Sequence, residues 1–228
     1  MTFGIITPVY KHWDFIGGLI YSLRRQTFED WKLYIYNDEP DAEATIYTDD
    51  DRVMIINDGE HLGHVKRYNQ GIRRSSEPYL IFVGADDFFY DKHVLSELND
   101  TIRYHQPQWI ISDFASLYED NILTQHYYHH QPNIKHLGWK NGICHSGTVI
   151  EKETIKRFMY NERLTWAEDW ELWLLMRSHG IEPYYLPITS IVRREYTSQT
   201  RLMGKTKWDH LKNRIDRVLI KRKFRVKL

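Results

Sequence analysis

The chain has 228 residues, enough to bury one sizeable α/β core without disulfide staples. Lys plus Arg and Asp plus Glu each number 31, so no global charge attracts nucleic acid, and a nucleic-acid partner is not expected. The single Cys144 excludes an internal disulfide or a Cys-based zinc site and fits a reducing, cytoplasmic compartment.

No run approaches the roughly 18 apolar residues of a membrane-spanning helix, and the first residues lack a signal-peptide pattern. A chain that is cytoplasmic, or at most peripheral to a membrane, is expected.

In chain order, Phe3 to Val9 reads as a buried strand closed by polar residues. Ile16, Leu19, Ile20 and Leu23 then line one face of a helix, with Gly17 and Gly18 weakening its first turn. Leu33 to Tyr36 is a second strand, running into the loop Asn37-Asp38-Glu39-Pro40. Val53 to Ile56 is a third. His64 to Arg74 carries Val65, Tyr68 and Ile72 on one helical face, and Tyr79 to Val83 is a fourth, continuously apolar strand. Alternation of this kind predicts a mostly parallel sheet flanked by helices.

The second half predicts a smaller mixed region. Val94, Leu95, Leu98 and Ile102 make a helix that Asp91 caps. Trp109 to Ser112, Ala115 to Tyr118 and Ile122 to Tyr128 read as shorter strands or a hairpin. Thr148 to Ile150 leads into a helix with Ile155, Phe158 and Met159, and Trp170 to Ser178 is an apolar helix stopped by Gly180. Leu211, Ile215, Val218 and Leu219 make a last amphipathic helix, ending in a basic tail.

Ligands of open parallel sheets sit beyond the carboxyl ends of the strands. That places suspicion on Thr7 to Tyr10, Asn37-Asp38, the loop before His64 and Gly84-Ala85-Asp86-Asp87. Two adjacent carboxylates after a buried strand are costly unless solvated, paired or bound to a metal, and hard oxygen ligands suit Mg²⁺ or Mn²⁺ bridging a diphosphate. A solvated turn or helix cap is the competing, less favoured explanation. Asp49-Asp50-Asp51 offers more carboxylates but precedes a strand, at the wrong edge of the sheet, and reads as a solvated loop.

Glu168 and Asp169 open a helix among Trp166, Trp170 and Trp173. Capping explains them, and so does a base beside a sugar platform. His126, His129 and His130 lack Cys partners and alternate across a strand, which is a weak zinc pattern. His145 lies just before Ser146-Gly147-Thr148, on the presumed acceptor side.

The residues resemble glycosyltransferase family 2, with its GT-A fold, over about residues 3 to 200. Ile5 to Tyr10 followed by Ser22-Leu23-Arg24-Arg25-Gln26-Thr27-Phe28 is similar to the family's first strand and its "S-x-x-x-Q-T-(Y/F)" signature. Tyr36-Asn37-Asp38 is similar to its "V-D-D", and Asn69-Gln70-Gly71-Ile72 to its "R-N-x-G-I". Gly84 to Asp87 falls on "D-x-D-D", and Glu168-Asp169-Trp170-Glu171-Leu172 on "E-D-x-x-L". The Ala-Asp-Asp form resembles glycosyltransferase domains of large algal viruses, which implies one domain of a longer protein.

The resemblance implies an α/β, Rossmann-like GT-A domain over 1–205, with a nucleotide-binding half at about 1–105 and an acceptor-binding half at about 106–205. Read from their own residues, 206–228 form a basic amphipathic helix and tail, either packed on the domain with its basic end solvated or touching an anionic membrane. The resemblance implies an inverting transfer from a nucleotide sugar, UDP-sugar favoured, to a hydroxyl of a glycan or glycoconjugate, with Mn²⁺ or Mg²⁺. Thr7, Pro8 and Tyr10 would line the nucleobase and ribose pocket, Asp38 would bond the base, and Arg67 would meet the diphosphate. Asp86 and Asp87 would serve ribose and metal, Asp169 would be the base, and Glu168, His145 and Trp170 would lie on the acceptor side.

Three positions depart from the family. Gly84 replaces the first Asp of the D-x-D pattern, and Tyr68 stands where the family has Arg. Glu195 stands where relatives often have His, which makes it an alternative metal ligand. Two other readings remain: a non-catalytic sugar-binding domain, favoured by Gly84, and a nucleotidyltransferase, disfavoured because Thr7 to His12 is not a Gly-rich phosphate loop.

Overall fold

The structure, a computed structural model, describes residues 2–40, 48–121, 124–138, 140–195 and 207–224. Ile122, with which one expected strand begins, lies outside the described residues.

The first half is the parallel sheet that the apolar runs predict. β1 (Phe3–Val9), β2 (Trp31–Asn37), β3 (Val53–Ile56) and β4 (Tyr79–Phe82) pair in the order β3-β2-β1-β4, all parallel. Every residue of β1 is buried, because helices cover both faces and leave no solvent side for polar alternation. Phe3, Ile5 and Val9 point towards α1 (Trp13–Arg24), whose Ile16, Leu19, Ile20 and Leu23 form the predicted stripe. Ile6 points the other way, towards α2 (His64–Arg74). A Cβ on Gly71 would stand 2.5 Å from Ile6 Cγ2, so only glycine lets α2 approach the sheet this closely.

The second half extends the same sheet. β5 (Phe88–Phe89) and α3 (Val94–His105) lead to β6 (Trp109–Asn121) and β7 (Thr124–His130). Next come β8 (Val149–Glu151), α4 (Lys152–Phe158), α5 (Glu168–Ser178), β9 (Tyr184–Arg194) and α6 (Lys207–Lys223). The order runs on as β4-β8-β6-β9-β5, with β7 off β6. β8 is antiparallel to β4 and β6, and β6 is parallel to β9.

One expectation changes here. The separate strands at Trp109 to Ser112 and Ala115 to Tyr118 are one strand, with register shifts against β9 around Asp113. Such a bulge interrupts the alternation without ending the strand. β9 itself carries no readable period, because its buried positions are irregular and Pro187 interrupts it.

Two of the family-like motifs prove to be fasteners. Ser22 Oγ accepts the Phe89 N–H at 3.1 Å. Gln26 donates to the Asp91 carbonyl at 2.7 Å and accepts from the Leu95 N–H at 3.0 Å, so α1 pins the segment that follows Asp86 and Asp87. Asn69 donates to Tyr160 O at 2.9 Å and accepts the Tyr160 N–H at 3.0 Å, joining α2 to the segment before α5. Among the described residues, no helix is long and apolar enough to cross a membrane.

Candidate active site

The carboxyl ends of β1, β2, β4 and β9 and the N-termini of α2 and α5 converge on a cleft of about 590 Å³. β1 contributes Pro8 and Tyr10, β2 Asp38, β4 the run Gly84 to Asp87, α5 Glu168 and Asp169, and β9 Arg193 and Arg194. A second hollow of about 480 Å³ opens beside it, and both are lined by Tyr68, Gly84, Asp87, Asp169 and Arg193.

At one end Tyr10 stacks on His61, with ring centroids 4.6 Å apart. His61 is held in turn by Asp38, its Nδ1 lying 2.9 Å from Asp38 Oδ2. Asp38 also accepts the Leu62 and Gly63 N–H groups at 2.8 and 3.0 Å and the Arg67 Nε–H at 2.8 Å. Asp38 thus lies in the cleft wall with most of its lone pairs engaged, fixing the turn whose Gly63 takes φ +84°.

Arg67 is fully buried and does not line the cleft. Its guanidinium spends its five N–H donors on Asp38, Asp58, Gln70 and the Glu60 carbonyl. The geometry corrects its expected diphosphate role: Arg67 braces Asp38 from behind. Thr7 is also fully buried and away from the cleft, because its strand position points it into the α1 face. Pro8 and Tyr10, on the opposite parity, do reach the cleft.

Asp86 and Asp87 both line the cleft. Burial raises the Asp86 carboxyl, opposed by the nearby His12 and arginine charges. Burial and then the Asp86 charge push Asp87 up to about 7. Two carboxylates resisting ionisation together are a donor set that a divalent cation would relieve, and Mg²⁺-type ions commonly take one or two carboxylates plus phosphate oxygens. The pair fits such an ion in that sense, although no cluster of three or more His, Cys, Asp or Glu suits a metal among the described residues. Glu195 does not join them: its Oε1 accepts from Ser116 Oγ at 2.9 Å and from Arg193. A Cβ on Gly84 would stand 2.9 Å from Asp87 Oδ2, so the two aspartates fill the space next to the missing carboxylate.

Asp169, which lines the same cleft, accepts the Trp170 N–H on Oδ1 at 2.7 Å and a bond from Asn141 on Oδ2 at 2.6 Å. Burial, then the adjacent Glu168 charge, pushes Asp169 up to about 7. Glu168 itself pairs with His64 Nε2 at 3.0 Å. For both partners the largest single influence is burial, which disfavours charge, yet their mutual hydrogen bond and attraction outweigh it: His64 is raised and Glu168 lowered.

His145 lines the second hollow with Nε2 2.8 Å from the Tyr160 hydroxyl, and burial lowers it to about 4, so it is neutral near pH 7. Trp170 is corrected: it is 2% exposed and donates to the Leu137 carbonyl at 2.6 Å, which makes it core. Trp173 stacks on Trp109 inside the core, and of the three tryptophans around Glu168-Asp169 only Trp166 lines the cleft.

Several residues of the cleft and the adjoining hollow had no pattern to announce them: His12, His64, Arg193 and Arg194 in the cleft and Asn141 in the hollow, whereas His61 falls in the suspected loop before His64. The decoy carboxylate run lies elsewhere, with Asp50 paired to Arg24 and Arg52. His130 stacks on Phe114 and His129 meets Thr189, so these two histidines do not share a ligand set.

The model of glycosyl transferase family 2 matches residues 4–165, most of the chain. The chain belongs to that family. By family it is a glycosyltransferase. A PGL/p-HBAD biosynthesis glycosyltransferase of Mycobacterium tuberculosis is 25% identical over 178 residues, covering 74% of this chain and 67% of the relative. The fold of S. aureus TarS 1-349 matches with a TM-score of 0.63 at 15% identity, over 85% of this chain and 60% of that one. The mannosyltransferase PcManGT of Pyrobaculum calidifontis, in complex with GDP-Man and Mn²⁺, matches with a TM-score of 0.59 at 10% identity, over 87% of this chain and 58% of that one. The chain therefore spans about three-fifths of these two solved structures.

Proposed function

We propose that this glycosyltransferase takes a nucleoside-diphosphate sugar, with UDP-sugars favoured, and transfers the sugar with inversion to a hydroxyl of a glycan or glycoconjugate. The observation that carries the reading is the position of Asp169. It lines both the cleft and the adjoining hollow, with a carboxyl tuned to about 7, where a general base works best near neutrality.

In this reading Pro8 and the stacked Tyr10–His61 rings receive the nucleobase, and Asp38 and Arg67 stiffen that wall. Asp86 meets the ribose, and Asp86 and Asp87 hold the Mn²⁺ or Mg²⁺. A divalent cation there supplies positive charge against the diphosphate. Arg193 and Arg194 stand beside Asp87 on the same wall and add fixed charge for the leaving group.

The acceptor hydroxyl enters from the hollow lined by Asn141, His145 and Ser146. Asp169, oriented by Asn141 and the Trp170 N–H, removes its proton as the oxygen attacks the anomeric carbon. Attack from the Asp169 side and departure of the diphosphate on the Asp86–Asp87 side give inversion. TarS in complex with UDP-GlcNAc and PcManGT with GDP-Man and Mn²⁺ support a nucleotide-sugar donor and a divalent ion.

Calorimetric titration of UDP, UDP-GlcNAc and GDP-mannose, with and without Mn²⁺, tests the donor reading. Binding of a nucleotide sugar, strengthened by Mn²⁺ and weakened in Tyr10→Ala, is expected. No binding of any of them overturns it.

A peripheral membrane contact belongs to the same proposal. On α6 the exposed positions from 212 to 222 are Lys212, Arg214, Arg217 and Arg222, with Ile215 and Leu219 among them and no carboxylate. Such a face suits an anionic bilayer. Ile215→Ser with Leu219→Ser should abolish co-sedimentation with phosphatidylglycerol vesicles; sedimentation equal to the parent protein's, or none by the parent, removes this contact.

A further inference from the structure

The inward face of α6 reaches the catalytic wall. Asp216 is 6% exposed, and its Oδ2 accepts the backbone N–H groups of Thr165 and Trp166, at 3.4 and 3.3 Å. Thr165, Trp166 and Ala167 all line the donor cleft, and Glu168 and Asp169 follow them directly. Ala167 takes φ +58°, a left-handed conformation that costs a residue with a Cβ energy and persists only when its surroundings impose it. α5 begins at this residue with no side-chain cap of its own. The helix's first turn therefore has its approach fixed by a carboxylate far away in sequence.

Two further contacts hold α6 in place. Ile220 is 1% exposed, within the cluster that contains Leu164, Trp170 and Trp173. Lys223 Nζ lies 2.8 Å from Glu171 Oε1, on α5 itself.

We infer that Asp216 is a positioning residue for glycosyl transfer: α6, through this carboxylate, locks the 165–167 turn and so sets the aim of Asp169 and the placement of Trp166 in the cleft. The inference rests on the transfer reading for its catalytic consequence, but the lock itself is a property of the fold. One carboxylate oxygen facing two successive N–H groups, at 3.4 and 3.3 Å, restricts the freedom that the strained turn before α5 would otherwise have. A displaced base a fraction of an ångström off line loses much of its effect.

The test compares Asp216→Leu, which removes the acceptor, with Asp216→Asn, which keeps an acceptor oxygen in the same place. Hydrogen exchange is read on the segment 163–170, alongside kcat, the donor KM and UDP affinity. Asp216→Leu should exchange about tenfold or more faster in that segment, with the β1–β4 sheet unchanged, and should lose kcat by roughly 10- to 100-fold while UDP affinity stays near the parent value. Asp216→Asn should recover most of both.

Parent-like exchange in Asp216→Leu overturns the lock. Faster exchange with parent-like kcat overturns the positioning role. A uniform rise in exchange across the sheet, with UDP affinity and kcat falling together and no rescue by Asn, would mean a merely structural residue and also overturns it. If the parent chain binds UDP but turns over no nucleotide sugar, the exchange result still judges the lock, and it is the transfer reading that fails.

Discussion

Replacing Glu168 by Gln probes the tuning of the base without touching the base. Asp169 is pushed up to about 7 by burial first and by the Glu168 charge second. A group whose value is raised is protonated below it, so the base is lost as pH falls through about 7 and gained as pH rises. With an apparent value near 7, about a tenth of the molecules carry the ionised base at about pH 6 and about nine tenths at about pH 8, so kcat should rise ~10-fold between them. Glu168→Gln keeps an oxygen towards His64 and removes the negative neighbour, so the midpoint should move to lower pH. Asp169→Asn keeps an acceptor for the Trp170 N–H and removes the base, which should cost roughly 10²–10⁴-fold in kcat with no pH-dependent limb left. The assay is nucleoside-diphosphate release at saturating donor, acceptor and Mn²⁺, where an ion on Asp86 and Asp87 keeps their own titration out of the profile. A flat parent profile, or a midpoint that rises in Glu168→Gln, refutes the reasoning.

Metal-free protein should lose stability as pH rises to about 7, because Asp87 and Asp169 are both raised above their unfolded values and their favourable contributions are complete only at acid pH; the fall in melting temperature from about pH 5 to 8 should shrink in Asp87→Asn or with Mn²⁺ added, and shrink further when Asp169→Asn is combined with either. Arg67→Met strands Asp38 and Asp58 without their shared cation, and should destabilise by about 3–5 kcal/mol in urea unfolding, as breaking a buried pair does. Gly84→Ala inserts a Cβ 2.9 Å from Asp87 Oδ2, and should weaken Mn²⁺-dependent nucleotide binding in titration while leaving urea unfolding within about 1 kcal/mol of the parent.

Much of the first half was legible because its physics is local. Phe3 to Val9 and Tyr79 to Val83 are almost wholly apolar, Thr7 apart, since both faces of the sheet are covered, and the α1 stripe of Ile16, Leu19, Ile20 and Leu23 repeats at helical spacing. The strand-end rule then led to Asp38, Asp86 and Asp87, and it discounted Asp49 to Asp51, of which Asp49 and Asp50 pair with arginines away from the cleft.

What stayed hidden depends on distant partners. Arg67 looks like a cleft cation from its place near Asn69, yet Asp58 and Asp38 draw its side chain inward. Trp170 adjoins Asp169 in sequence, but helical rotation carries its ring into the core, where it finds the Leu137 carbonyl. Arg193 and Arg194 end a strand whose burial follows no period, and Asn141 meets Asp169 across 28 positions of chain. Nothing in Asp216 announces a contact with Trp166; the amphipathic pattern of α6 shows only that one face is buried.

The central claim is sugar transfer driven by Asp169 from a donor held at Asp86 and Asp87. Its most direct measurement is nucleoside-diphosphate release from a panel of UDP-, GDP- and dTDP-sugars with Mn²⁺, run on the parent chain and on Asp169→Asn with UDP affinity measured on both. The account predicts turnover of at least one nucleotide sugar by the parent, and near-parent nucleotide affinity with turnover lost in Asp169→Asn. Turnover unchanged by that substitution, or a parent chain that binds nucleotide sugars and releases nothing, would contradict it.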